Sequence, residues 1–141
     1  MEVSYFKRGD DLHTSAKDAD LVVNALNCNI SSENLLDADF FMNMKQGSYY
    51  VTFSRPYTYD IDGLIKAIDA GVVAGAGIDC DPESFGDTEN AFYKKCMTND
   101  KILVTPHIAF STTQAIAQGR EIVIEVIEGY LSGEEKNVLK K

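Results

Sequence analysis

The sequence predicts an α/β fold in which helices cover both faces of a parallel sheet. Three observations lead to this prediction. Short apolar runs rich in Val, Ile and Tyr recur along the chain, and stretches with helical periodicity separate them. Hydrophobic residues make up 45% of the 141 residues and charged residues 25%, as in ordinary globular domains. Strands that alternate with helices pair in parallel, and parallel sheets are usually buried on both faces.

Five apolar runs are predicted as strands, because each is short and rich in β-branched or aromatic residues. They span residues 3–6, 21–26, 49–53, 72–78 and 102–104.

Two predicted helices follow the second and third of these runs. Asp37 can cap a short helix that ends near Gly47. Asp60 can cap a helix whose apolar residues recur at i, i+3, i+4 and i+7, and Gly71 suits its C-terminal end. The apolar residues are Phe40, Phe41 and Met44 in the first helix and Ile61, Leu64, Ile65 and Ile68 in the second.

Two further helices are predicted toward the end of the chain. One spans residues 88–97. The other is long and amphipathic, begins at a capping box formed by Ser111 and Gln114, and ends near Gly133. Residues 134–141 are predicted to be a charged tail.

The charge balance limits the possible partners. Acidic residues number 22 and basic residues 13, so the net charge is −9. A nucleic-acid binder that uses a basic surface is therefore not expected, nor is a polybasic protein of the membrane surface. No apolar run approaches the roughly 20 residues of a membrane span.

The three cysteines predict neither a zinc site nor a disulfide framework. Cys28, Cys80 and Cys96 are widely spaced and form no C-x-x-C pair. The first residues also lack the apolar stretch of a signal peptide. We therefore expect reduced thiols and a cytoplasmic location.

Chemically useful side chains follow three of the predicted strands. Arg55 follows the strand at 49–53, Asp79 and Glu83 follow the strand at 72–78, and His107 follows the strand at 102–104. Parallel strands end at the same edge of a sheet, where ligands bind in open α/β folds. Each residue alone also fits a solvated strand end. Together they suit an anionic substrate with a carbonyl or hydroxyl group that gains or loses a proton.

At these positions the chain resembles the D-isomer-specific 2-hydroxyacid dehydrogenases, in the latter part of their nucleotide-binding domain. The order and spacing of five short segments match that family over residues 3–133. Arginine followed by proline at positions 55 and 56 is similar to the D-lactate branch of the family. The matching segments are residues 19–23, 44–47, 52–56, 73–79 and 105–109.

The resemblance implies a partial Rossmann-like NAD(P)-binding domain in residues 1–133 and a role for several positions. Arg55 would bind the substrate carboxylate, His107 would exchange a proton with the substrate oxygen, and a glutamate would pair with His107. The positions implied for the cofactor are Asn27 and Ser32 beside the adenosine half, and Phe53, Ser54 and Asp79 beside the nicotinamide.

The sequence departs from the family pattern in three places. The family's glutamate lies five residues after the aspartate, where this chain has Ser84, so Glu83 takes the role only if the loop is one residue shorter. The family often has histidine and proline where residues 25–27 read Ala-Leu-Asn. The G-x-G-x-x-G turn that cradles a dinucleotide is absent.

We therefore expect this chain to be a piece of a dehydrogenase. It would lack the first strand of the family's nucleotide-binding domain, the glycine-rich turn and the substrate domain. Such a chain should bind dinucleotide weakly and turn over nothing by itself. Unpaired inner strand edges should favour self-association or a companion segment.

The cofactor and the exact function stay open at this point. Arg8 stands where related NADP-using reductases place an arginine for the 2′-phosphate, which favours NADP over NAD, although Asp10 and Asp11 could bind a ribose instead. The leading hypothesis is an oxidoreductase segment that acts on a D-2-hydroxy acid or 2-oxo acid. The alternative is a non-catalytic, dinucleotide-linked interaction module similar to dehydrogenase-like corepressors.

Overall fold

The computed structural model describes residues 2–6, 9–134 and 136. Its helices are α1 (Leu12–Ala16), α2 (Ala38–Met42), α3 (Ile61–Asp69), α4 (Ala91–Met97) and α5 (Thr113–Ser132). Its strands are β1 (Leu21–Asn24), β2 (Ser48–Thr52), β3 (Val73–Asp79) and β4 (Ile102–Thr105). Short 3₁₀ helices occupy Ile30–Ser32 and Pro56–Thr58.

The four strands form one parallel sheet in the order β1-β2-β3-β4. Val23 pairs with Val51, Val51 with Gly77, and Gly77 with Leu103, so one row of residues crosses the whole sheet. Helices separate β1 from β2, β2 from β3 and β3 from β4. The parallel α/β architecture that the sequence predicts is therefore confirmed.

The first predicted strand is wrong. Residues 2–6 are described and contain no strand. Val3 and Tyr5 are 56% and 84% exposed, so these side chains are not packed in the core. A β-rich composition produces a strand only where a neighbouring strand accepts its hydrogen bonds.

The hydrophobic core lies between the sheet and helices α1–α4. Edge-to-face ring contacts join Phe40 to Phe41, Phe41 to Tyr50, and Tyr50 to Tyr59, with centroids 5.4, 5.0 and 5.8 Å apart. This geometry adds specific attraction to the apolar area that the rings bury. The core thus fixes α2 against the centre of the sheet.

Side chains cap the helices at or near the predicted positions. Asp37 accepts a hydrogen bond from the backbone of Phe40, and Asp60 accepts one from the backbone of Asp62. α4 begins later than predicted because Asn90 is its cap. α5 is capped by Thr112 and not by Ser111, since the Thr112 hydroxyl accepts from the backbone of Ala115.

The opposite face of the sheet is exposed. Val23, Val51 and Leu103 are 51%, 37% and 69% exposed, although they belong to three different strands. Helices α1–α4 all contribute to the core on the other face.

The chain divides into two units, residues 1–107 and 108–141. The second unit contains α5. Gly133 caps the C-terminal end of this helix in the left-handed conformation, which glycine adopts without strain. Within the described part of the chain, no helix is both long and apolar enough to cross a bilayer. The predicted tail at 134–141 lies outside the described residues, apart from Glu134 and Lys136.

Candidate active site

The predicted site residues collect at the carboxyl edge of the sheet. Thr52 pairs with Ile78 and Ile78 pairs with Val104, so β2, β3 and β4 end at one level. Arg55, Asp79 and His107 each follow this row by one to three residues. The edge predicted from the sequence is therefore where the structure places these groups.

Arg55 and Glu83 form an ion pair across this edge. Nη1 of Arg55 lies 3.7 Å from Oε2 of Glu83. The two side chains are 46% and 85% exposed, so solvent screens their attraction and a ligand can reach the guanidinium. The ion pair seen for Glu83 is with Arg55, and its pairing with His107 stays a prediction.

Asp79 is held by the neighbouring strand. The Thr105 hydroxyl donates a hydrogen bond of 2.5 Å to Oδ1 of Asp79. These two residues are also register partners at the ends of β3 and β4. The Asp79 carboxylate is thus oriented by the last residue of the neighbouring strand.

Asp81 is a buried carboxylate in the loop after β3. It is 8% exposed and lies two residues beyond the end of β3. Burial opposes its ionisation, but hydrogen bonds from Ser84 and Glu83 and the charge of Arg55 lower its pKa below the usual value. The loop that carries Glu83 therefore holds a fixed negative charge near Arg55.

His107 lies on an unusual backbone. Its φ angle is +55°, in the left-handed region, and its backbone N–H donates to the carbonyl of Thr105 over 3.1 Å. The residue is partly exposed. The tight turn after β4 thus presents an imidazole at the edge of the sheet, where it can exchange a proton with a ligand.

A buried polar network lies beneath Arg55. The side-chain amide of Asn24 donates to the Tyr50 hydroxyl over 2.9 Å and to the Thr58 hydroxyl over 3.1 Å. The Thr58 hydroxyl donates in turn to the carbonyl of Arg55 over 2.9 Å. This network was not predicted from the sequence, although Asn24 is a polar residue inside an apolar run, which is a signal of a buried hydrogen-bonded group.

The residues implied for the cofactor lie at or beside the ends of β1 and β2. The Ser32 hydroxyl is buried and donates to the carbonyl of Asn27 over 2.6 Å, so it folds its own loop. Phe53 exposes half of its ring, whereas the Ser54 hydroxyl donates to the carbonyl of Leu26 over 2.6 Å. Arg8, the residue predicted to favour NADP, lies outside the described residues.

The edge combines a cation, an imidazole and carboxylates. A guanidinium can bind a carboxylate through two hydrogen bonds, and an imidazole can transfer a proton near neutral pH. The half-exposed Phe53 ring offers an apolar surface beside them. This set can bind a small carboxylate ligand and protonate or deprotonate an oxygen of that ligand.

A known protein family matches most of this chain. Residues 2–109 match the D-isomer specific 2-hydroxyacid dehydrogenase NAD binding domain. A D-lactate dehydrogenase from Lactiplantibacillus plantarum is 35% identical over 124 residues, which are 82% of this chain. The chain spans only 36% of the length of that relative.

Solved structures show the same fold. The NAD complex of a D-isomer specific 2-hydroxyacid dehydrogenase from Lactobacillus delbrueckii ssp. bulgaricus has a TM-score of 0.76 and 25% identity, over 99% of this chain and 47% of the other. A D-lactate dehydrogenase from Sporolactobacillus sp. has a TM-score of 0.77 and 27% identity, over 94% of this chain and 43% of the other.

Proposed function

Because the chain belongs to the D-isomer specific 2-hydroxyacid dehydrogenase family, within its NAD-binding domain, we propose that its carboxyl edge serves hydride transfer between a nicotinamide dinucleotide and a D-2-hydroxy acid or 2-oxo acid. The observation that carries this proposal is the meeting of Arg55, Asp79 and His107 at the ends of three adjacent strands. The whole enzyme's substrate range is part of the proposal, since the chain spans about a third of the L. plantarum relative.

Arg55 would bind the substrate carboxylate. Its guanidinium is half-exposed and faces Glu83 at 3.7 Å, a distance longer than a good hydrogen bond. A substrate carboxylate can form two shorter, parallel hydrogen bonds with the same group. The substrate carboxylate would therefore replace Glu83 as a stronger partner of Arg55, which supports a carboxylate ligand at this position.

His107 would carry the proton. In the reductive direction its imidazolium donates a proton to the substrate's carbonyl oxygen, and in the oxidative direction the neutral imidazole takes a proton from the hydroxyl. A carboxylate beside the ring favours the charged form, and Glu83 is the proposed partner. Glu83 then has two possible partners at the edge, Arg55 without substrate and His107 with it.

The residues at the edge fit the nicotinamide half of a dinucleotide better than its phosphates. The exposed Phe53 ring offers an apolar surface, and the Asp79 carboxylate, fixed by Thr105, offers a hydrogen-bond acceptor for a carboxamide. A bound dinucleotide supplies or accepts the hydride. The 141 residues contain no G-x-G-x-x-G turn to hold its phosphates.

The choice between NAD and NADP rests on Arg8, whose charge suits a 2′-phosphate. We propose a preference for NADP(H). We also propose that the 141-residue chain binds either dinucleotide weakly and turns over no 2-oxo acid by itself.

The second candidate is a non-catalytic interaction module. The exposed apolar face formed by Val23, Val51 and Leu103 favours it, because such patches often mark protein contacts. Self-association of the chain through this face or through the edge of β1 belongs to the same proposal. A ligand-binding measurement at the carboxyl edge separates the two candidates.

The test is an NMR titration of the ¹⁵N-labelled 141-residue chain with pyruvate, the smallest 2-oxo acid of this class with a carbon side chain. We expect shifts of the Arg55 side-chain and His107 backbone signals that saturate with pyruvate, and weaker shifts with acetate, which lacks the carbonyl group. Arg55→Gln should abolish the shift at His107, whereas Lys66→Gln, an exposed change on α3, should leave both shifts in place. Saturation without any response at Arg55 or His107 would contradict the proposed site.

A further inference from the structure

We propose that Asn24 and Thr58 are positioning residues that set the direction of Arg55 from below the site. The proposal rests on the function proposed for Arg55, but its structural part can be tested separately. It assigns a role to two buried side chains that lie below the carboxyl edge of the sheet and are not proposed to contact a ligand.

Thr58 fixes the backbone from which the Arg55 side chain leaves. Both its hydroxyl and its backbone N–H donate to the carbonyl of Arg55, over 2.9 and 3.0 Å. Arg55 begins the 3₁₀ helix Pro56–Thr58 in an extended conformation, with no hydrogen bond from its own side chain to the cap. The orientation of the guanidinium thus depends on this turn.

Asn24 fixes Thr58 in its turn. Its amide group donates to the Thr58 hydroxyl, so that this hydroxyl directs its own hydrogen toward the carbonyl of Arg55. Asn24 is 3% exposed and Thr58 is fully buried, which leaves no room for free rotation in solvent. If such a buried hydrogen bond is broken, the polar group stays removed from water without a partner, and its desolvation is not compensated. These hydrogen bonds therefore persist in the folded chain.

The distal end of Arg55 is held far less firmly. Its ion pair with Glu83 is 3.7 Å long, and the glutamate side chain is 85% exposed. An exposed pair of this length contributes little to orientation. The buried base of the turn must therefore supply most of the order of the side chain.

Asn24 also holds the neighbouring loop. Its Oδ1 accepts from the backbone of Leu26 over 3.0 Å, directly before the loop that begins at Asn27. The same side chain thus fixes the loop after β1 and the turn after β2. A change at Asn24 is expected to move both.

The experiment compares three single variants of the 141-residue chain. Thr58→Val removes the hydroxyl at nearly constant volume, and Thr58→Ser keeps it. Ser48→Ala is the matched control, because it removes another buried hydroxyl at the opposite end of β2, away from Arg55. Two readouts are measured: the ¹⁵N heteronuclear NOE of the Arg55 Nε–Hε group, and the pyruvate dissociation constant.

In Thr58→Val we expect a lower NOE at Arg55 Nε and pyruvate binding weaker by about 3- to 10-fold, the loss of one net hydrogen bond. Thr58→Ser should stay within about 2-fold of the original chain, since the donor is retained. Ser48→Ala should leave the Arg55 NOE and the pyruvate dissociation constant unchanged. If Thr58→Val does not fold, Thr58→Cys replaces it, because a thiol is a weak donor.

The proposal is overturned if the Arg55 NOE is the same in the folded valine or cysteine variant as in the original chain, or if Ser48→Ala lowers it equally. If the original chain shows no pyruvate response at all, the function proposed for Arg55 fails, and the NOE alone decides whether Thr58 orients it.

Discussion

On one face of the sheet Tyr50 and Ile78 are buried against the helices, whereas on the other face Tyr49 and Val51, from the same strand as Tyr50, lie exposed. β2 shows the contrast within five residues, because Ser48, Tyr50 and Thr52 are buried and the two residues between them are not. The alternation is that of a strand with one packed face and one open face.

The difference separates stability from accessibility. The packed face contains the aromatic contacts from Phe40 to Tyr59 and the amide of Asn24. This face therefore supplies both the cohesion of the fold and the buried polar support of Arg55. The open face contributes apolar surface that is available for contacts with other molecules.

The largest effect should come from the packed face. Leu64 on α3 is completely buried in the core, so Leu64→Ala should lower the free energy of unfolding by about 2–5 kcal/mol through lost burial and a residual cavity. Urea denaturation followed by circular dichroism measures this. Lys66→Ala, two residues away on the exposed side of α3, should stay within about 0.5 kcal/mol. Equal losses in the two variants would contradict the assignment of the packed face.

A second effect concerns pH. Burial raises the pKa of the Cys80 thiol to about 11 and that of the Cys96 thiol to about 12, from 9.0. The folded chain keeps these thiols neutral where the unfolded chain ionises them, so their contribution to stability is complete below pH 9 and falls as the pH rises through 11 and 12.

This pH effect is measured by urea midpoints between pH 8 and pH 11.5. The midpoint should fall above about pH 9, and Cys96→Ala should reduce the slope of that fall. Cys28→Ser, at an exposed cysteine, should leave the slope unchanged. A midpoint that does not respond to high pH would show that the two thiols are accessible to solvent in the folded chain.

The smallest effect on stability should come from the open face. Val51→Thr keeps a β-branched side chain, and Leu103→Thr introduces one. Each adds a hydroxyl at a position that solvent already reaches. Each should change the free energy of unfolding by no more than about 0.5 kcal/mol. Sedimentation velocity of the same variants should show less self-association, if the open face mediates it. A loss as large as that of Leu64→Ala would mean that this face is covered.

The sequence was sufficient for the strands that pair and for the edge where they end. Alternating apolar runs predicted β1–β4, and the parallel-strand rule placed Arg55, Asp79 and His107 together. Residues 3–6 had the same composition but no partner strand, so composition alone was misleading there. The caps at Asp37 and Asp60 were predictable because capping depends on local sequence.

Loop contacts could not be predicted in the same way. Glu83 faces Arg55 and Asp81 is buried because of how the loop after β3 folds back on the edge. Asn24 reaches Thr58 across 34 positions of the chain, a contact that only the assembled sheet creates. Contacts of this kind arise from tertiary packing and cannot be predicted from the spacing of residues in the sequence.

The backbone of His107 shows a conflict between two demands on one position. A φ angle of +55° strains any residue with a side chain, by roughly 1–2 kcal/mol, and glycine would relieve that strain. Screening variants of this chain for heat resistance alone would favour glycine at position 107 and would discard the imidazole. Thermostability and the proton transfer proposed for His107 would therefore favour different residues at this position.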